Sequence, residues 1–149
     1  MNRINDRQNL EVTFAATKAE ASAGIATLSE RLGMLGLPET KSDDVRIALA
    51  EAVNNVVEHA YAGTTPENVH VKCALGVKNL EILITDPGVP MPDFALGSRV
   101  PASVETVLAD LPEGGFGWYL IRTLTSDVRY ERRAGCNRLS LLFEFAEPS

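Results

Sequence analysis

The sequence predicts an α+β two-layer sandwich: a mixed, mostly antiparallel sheet with helices packed on one face. Three observations point there. Apolar residues alternate at period two in several short runs, two longer segments carry helical spacing, and the order begins β-α-α-β-β and closes on a helix and two more strands. A chain of 149 residues makes one domain, expected to span 1–149 with its core at about 9–145.

The first strand is expected at Asn9–Ala15, where Leu10, Val12 and Phe14 alternate with polar neighbours. A helix follows. Thr17-Lys18-Ala19-Glu20 has the form of a capping box, and Ile25, Leu28 and Leu32 recur at helical spacing until Gly33 or Gly36 ends the segment. A second helix is expected to start near Ser42 and Asp43, whose oxygens can cap free amides. It runs through Ile47, Leu49, Val53, Val56, Val57 and Ala60 and stops at Gly63.

Two strands come next, Val69–Val77 and Leu80–Thr85, joined as a hairpin around Lys78-Asn79. From Asp86 to Gly115 the pattern breaks, with Pro87, Pro90, Pro92, Pro101 and Pro112 in the run. Loops longer than about 12–15 residues in a compact domain are often lids or binding loops, so the stretch at about 89–113 reads as a lid. A third helix is expected after Gly117, and Val128–Glu131 and Leu139–Phe145 form a closing hairpin turned at Ala134-Gly135.

The formal net charge of −6 and the scattered Lys and Arg argue against nucleic-acid binding. Cys73 and Cys136 have no CxxC or Cys/His spacing, which fits free thiols in a reducing compartment and no zinc site. The start of the chain is polar and no apolar run approaches a membrane span, so the expected location is the cytoplasm, away from membranes.

Three short constellations carry chemistry. Glu51 and Asn55 are four apart, which places a carboxylate and an amide side by side on one helix face, with Glu58 and His59 a turn later. Alone, that stripe reads equally well as the solvated face of an amphipathic helix. As a site, Asn55 offers a carbonyl oxygen to Mg²⁺ and Glu51 a base for an attacking hydroxyl. His59 more often packs or supports a ligand than acts as one.

The second constellation is Asp86-Pro87-Gly88, an acid at the end of the apolar run Ile82-Leu83-Ile84. It is either an ordinary turn or an acceptor for an exocyclic amine such as that of adenine, with Gly88 letting the ring approach. The third is Gly114-Gly115-Phe116-Gly117 before a predicted helix, a geometry that favours phosphates. The chain has no G-x-x-x-x-G-K-[ST] segment, which excludes the P-loop mode.

Taken in order, these segments resemble the GHKL, or Bergerat-fold, ATPases. Glu51-x-x-x-Asn55 ending in His59-Ala60-Tyr61 looks like an N-box, Asp86-x-Gly88 like a G1 box, and Gly115-x-Gly117 before Trp118-Tyr119-Leu120-Ile121 like a G2 box. The wording is most similar to the anti-sigma-factor serine kinases of bacterial partner-switching systems. The terminal hairpin with Gly135-Cys136-Asn137-Arg138-Leu139 adds to the likeness, which covers roughly residues 9–145.

The resemblance implies a cytoplasmic Mg-ATP-dependent protein-serine/threonine kinase that phosphorylates a STAS-domain anti-sigma-factor antagonist. Many relatives also sequester a sigma factor, and family members commonly form homodimers. Carried over by position, Glu51 is the catalytic base, Asn55 the magnesium ligand, Asp86 the adenine contact, Gly88 part of the adenine pocket, and Gly114, Gly115, Phe116 and Gly117 the phosphate loop. The chain departs from the pattern at Pro90, where the full G1 box has its second glycine, and at Glu113, where some relatives have a basic residue. A catalytically weak nucleotide-binding anti-sigma module and a purely structural interaction domain are the alternatives.

Overall fold

The computed structural model describes residues 7–60, 67–90 and 115–145. In chain order the elements are β1 (Gln8–Ala15), α1 (Lys18–Leu35), α2 (Glu39–Asn55), β2 (Asn68–Leu75), β3 (Asn79–Asp86), α3 (Gly115–Leu124), β4 (Asp127–Arg133) and β5 (Cys136–Glu144). A π-helical turn, Val56–Ala60, continues α2. The expected order therefore holds. The expected lid, from residue 91 onward, lies outside the described residues.

The sheet runs β1-β2-β3-β5-β4, and each neighbouring pair is antiparallel. The mostly antiparallel expectation holds, and among the described residues every pair is antiparallel. Two of the four pairs, β2–β3 and β4–β5, are hairpins, which can only make antiparallel neighbours.

One face of the sheet is buried. Val69, Val71, Cys73 and Leu75 on β2, Leu80, Ile82 and Ile84 on β3, and Leu139, Leu141 and Phe143 on β5 all point into one core with Leu28, Leu32, Val45, Leu49, Val53 and Ile121. Each strand alternates strictly, so its odd-numbered or even-numbered set faces the helices. On the opposite face an open concavity of about 750 Å³ is lined by polar residues including Glu11, Lys72, Glu81, Arg129 and Arg138. None of the expected site residues lines it.

Local signals set the helix ends. The Thr17 side chain accepts from the Glu20 amide at 3.2 Å, half of the expected capping box. The other half is not needed, because the Thr17 amide donates to the Ala15 carbonyl at 2.8 Å. Gly36 ends α1 at φ 109°, and the Leu37 amide reaches back to the Leu32 carbonyl at 3.0 Å, a Schellman closure. Gly24 sits under the Phe14 ring, where an added Cβ would fall 2.4 Å from Phe14 Cδ2. That close approach lets α1 lie on β1.

The start of α2 differs from the expectation at Ser42 and Asp43. The helix begins at Glu39, directly after Pro38, with no side-chain cap. A proline with its fixed φ leads directly into a helix, and Glu39 in the first turn suits the positive end of the dipole. Ile47, expected on the core face, is 41% exposed; the buried row is Val45, Ala48, Leu49, Ala52, Val53 and Val56. The closing hairpin turns at Ala134 and Gly135, both with positive φ (53° and 79°), as a two-residue loop of this hand requires.

Candidate functional site

Asn55 is the last residue of α2 and is only 4% exposed, while Glu51, one turn earlier, is half-buried. The Asn55 amide nitrogen donates to the Glu51 carbonyl at 2.8 Å. With that nitrogen tied back into the helix, the carbonyl oxygen is the end of the side chain available to a ligand. The Glu51 carboxylate has no partner among the described residues. The α-helix changes to π-helix immediately after Asn55, where the sequence predicts an unbroken helix to Gly63. Such widened turns cost hydrogen-bond geometry and recur at functional sites.

Asp86 ends β3 and is 1% exposed. It belongs to the inward set Leu80, Ile82, Ile84, so the strand period that buries the core also buries this carboxylate. One oxygen, Oδ2, accepts from the Gly88 amide at 2.8 Å and from the Asn137 side-chain nitrogen at 3.2 Å. The other, Oδ1, is buried with no partner among the described residues. Leaving a buried acceptor unpaired costs about 1–3 kcal/mol. Arg7 Nε and Ser29 Oγ are also unpartnered among the described residues, but Asp86 Oδ1 alone is an ionisable acceptor.

Asn137 was missed as a site residue by the sequence reading. It is 2% exposed and is the direct cross-strand partner of Asp86. Its amide nitrogen also donates to the Val89 carbonyl at 2.9 Å, while its oxygen accepts from the Tyr130 hydroxyl and from Arg132 Nη1 at 3.0 Å. Arg132 Nη1 also donates to the Gly88 carbonyl. A signal existed: in the inward set 137, 139, 141, 143, one member is polar where three are apolar. Reading it required knowing that β5 lies beside β3.

Gly115, Phe116 and Gly117 open α3, so their backbone amides belong to the unbonded first turn of a helix; the helix starts three residues before the expected point. Gly114, and the side chains of Phe116 and His59, lie outside what is described. The structure thus joins Asp86 with Gly88, and Glu51 with Asn55. α2 packs against α3, and Ala52, Val53 and Val56 share one core with Ile82 and Ile84. No hydrogen bond links Asn55 to Asp86 among the described residues.

Residues 14–143 match the histidine kinase-like ATPase domain. The chain belongs to that family. This ATPase domain is 32% identical over 136 residues to a serine-protein kinase RsbW of Halalkalibacterium halodurans, covering 89% of the chain and 82% of the relative. It is 35% identical over 124 residues to a serine-protein kinase RsbW of Bacillus mycoides, covering 82% and 76%.

Among solved structures, the RsbU and RsbW domains of a Mycobacterium tuberculosis protein align with a TM-score of 0.66 at 24% identity. That match covers 95% of this chain and about a third, 34%, of the other. A chain of the SiaB-SiaC complex of Pseudomonas aeruginosa aligns with a TM-score of 0.70 at 13% identity, covering 93% and 90%. Both likenesses place the ATPase domain in the same α+β fold. Membership in the family implies use of ATP. Among the described residues no helix is long and apolar enough to cross a membrane.

Proposed function

We propose that the chain binds Mg-ATP and transfers its γ-phosphoryl group to a serine of a STAS-domain anti-sigma-factor antagonist. The observation that carries the nucleotide reading is the Asp86 carboxylate. Two donors saturate Oδ2, which leaves buried Oδ1 as an acceptor for one more hydrogen bond. The exocyclic amine of adenine supplies that donor, and Gly88, with no side chain, leaves room for the ring.

The rest of the machinery sits on α2 and α3. Asn55 would hold a magnesium ion through its carbonyl oxygen, and the ion would neutralise charge on the triphosphate. Glu51 accepts the proton of the serine hydroxyl as it attacks, and the first-turn amides of α3 receive phosphate oxygens. The serine-kinase names of the relatives support this assignment of the reaction. The proposal includes a cytoplasmic homodimer that also holds a sigma factor.

The test is direct. The protein is incubated with Mg-ATP and the STAS-domain protein encoded nearest to it, and a gain of one phosphate on a serine is sought by mass spectrometry. Transfer that disappears in Glu51→Ala supports the base. ATP binding without transfer to any STAS-domain partner overturns the kinase reading in favour of a nucleotide-binding anti-sigma module.

A further inference from the structure

We propose that Asn137 is the positioning residue for base recognition, fixing which oxygen of Asp86 meets the nucleotide, and that Tyr130 and Arg132 fix Asn137 in turn. The inference rests on the nucleotide reading above and adds a residue to that site. Asp86 is short and ends a strand, so its carboxylate can rotate about the Cβ–Cγ bond unless something holds it.

Asn137 holds it. An amide can be placed in two orientations that exchange its oxygen and nitrogen, and only one puts a donor on a carboxylate. Here two donors, the Tyr130 hydroxyl and Arg132 Nη1, converge on Asn137 Oδ1. Flipping the amide would set its NH₂ against the Arg132 guanidinium, which can only donate, and its oxygen against the Asp86 carboxylate and the Val89 carbonyl. The nitrogen is therefore directed to two acceptors, Asp86 Oδ2 at 3.2 Å and the Val89 carbonyl at 2.9 Å. Each hydrogen on that nitrogen has one acceptor, so the side chain is fully used.

The consequence is chemical selectivity. With Oδ2 saturated, Asp86 presents Oδ1 as an acceptor. Such an atom takes the amine at C6 of adenine and is repelled by the carbonyl oxygen at the same position of guanine. Arg132 also binds the Gly88 carbonyl, so the same residue that orients Asn137 holds the turn along which the base lies.

Dissociation constants for ATP and GTP, with Mg²⁺, are measured by titration calorimetry on wild type, Asn137→Ala, Asn137→Asp and Tyr130→Phe. Circular dichroism reports that each variant is folded. Wild type is expected to prefer ATP. Asn137→Ala is expected to raise the ATP constant about tenfold and to narrow the ATP/GTP ratio, whereas lost packing alone would weaken both nucleotides alike.

Asn137→Asp keeps the size of the side chain but replaces the donor with a second carboxylate facing Asp86, and is expected to raise the ATP constant more than Asn137→Ala, an order that lost packing would not produce. Tyr130→Phe removes only the hydroxyl and is expected to raise the ATP constant about threefold, which keeps the test open should Asn137→Ala fail to fold. Wild type that binds neither nucleotide overturns the ATP reading and this inference together. Wild type that binds ATP, with folded Asn137→Ala or Tyr130→Phe matching its constant and ATP/GTP ratio, overturns this inference alone.

Discussion

The two ends of the site are built by different physics. At the α2 end, Glu51 and Asn55 are brought together by helix geometry, four residues apart, and the bond from Asn55 to the Glu51 carbonyl is local. At the sheet end, Asp86 and Asn137 are 51 positions apart and meet because β3 pairs with β5 in one register. At the helix end the Asn55 carbonyl oxygen and the Glu51 carboxylate are the atoms proposed to serve a metal and a proton. The sheet end is a network of Asp86, Asn137, Tyr130, Arg132 and the Gly88 turn, in which Asp86 Oδ1 is without a partner among the described residues. Under the proposed function the two divide the work, since the base is held constant at the sheet end while the phosphate reacts at the helix end.

Mutations separate the two ends. The largest effect belongs to Glu51→Gln, expected to lower kcat by about 10²–10⁴ while ATP still stabilises the protein, as judged by phosphate transfer and melting side by side. Next comes the sheet end. At a hundred times its dissociation constant, Mg-ATP should stabilise wild type by about 2.7 kcal/mol, a rise in Tm of roughly 5–10 °C. Asp86→Asn should abolish that rise; a shift equal to wild type would remove Asp86 from the pocket.

Asn55→Ala sharpens the contrast, because it should erase the difference between ATP with Mg²⁺ and ATP with EDTA while leaving the base pocket intact. Gly24→Ala tests the shared core beneath both ends. An added methyl meets the Phe14 ring and should cost about 1–3 kcal/mol in urea unfolding, with the ATP/GTP preference unaltered.

The smallest effect near neutral pH is a pH dependence, which appears only above pH 9. Burial pushes the Cys73 thiol up to about 12, so the folded state keeps its proton where the unfolded state loses it. Stability is undiminished below pH 9 and falls by about 1.4 kcal/mol per unit as pH rises from 9 toward 12, a slope that Cys73→Ala should remove from the melting curve. Alkylation at pH 8 should label half-exposed Cys136 in the native protein and reach Cys73 after unfolding.

How much was legible follows the same division. Strand alternation, the Thr17 cap, the Gly36 stop and the Ala134-Gly135 turn are short-range signals, and each appears within three residues of its expected place. The start of α2 was misplaced because Ser42 and Asp43 are good caps by type, whereas Pro38 sets the chain direction earlier without any side-chain bond. The π-helical turn after Asn55 was invisible for a different reason. Val56, Val57 and Glu58 carry helical spacing either way, and nothing in residue type distinguishes a widened turn from a regular one.

Residue order alone therefore decided the elements, the one-sided core and the Glu51/Asn55 pair, because helix and strand periods act over a few residues. The tertiary structure decided the wholly antiparallel sheet, the burial of Asp86 against Asn137, and the reach of Arg132 to Gly88. Those depend on which strands become neighbours. Strand pairing is settled by the packing of the whole core, and a side chain's partner across two strands is unknown until that packing is complete.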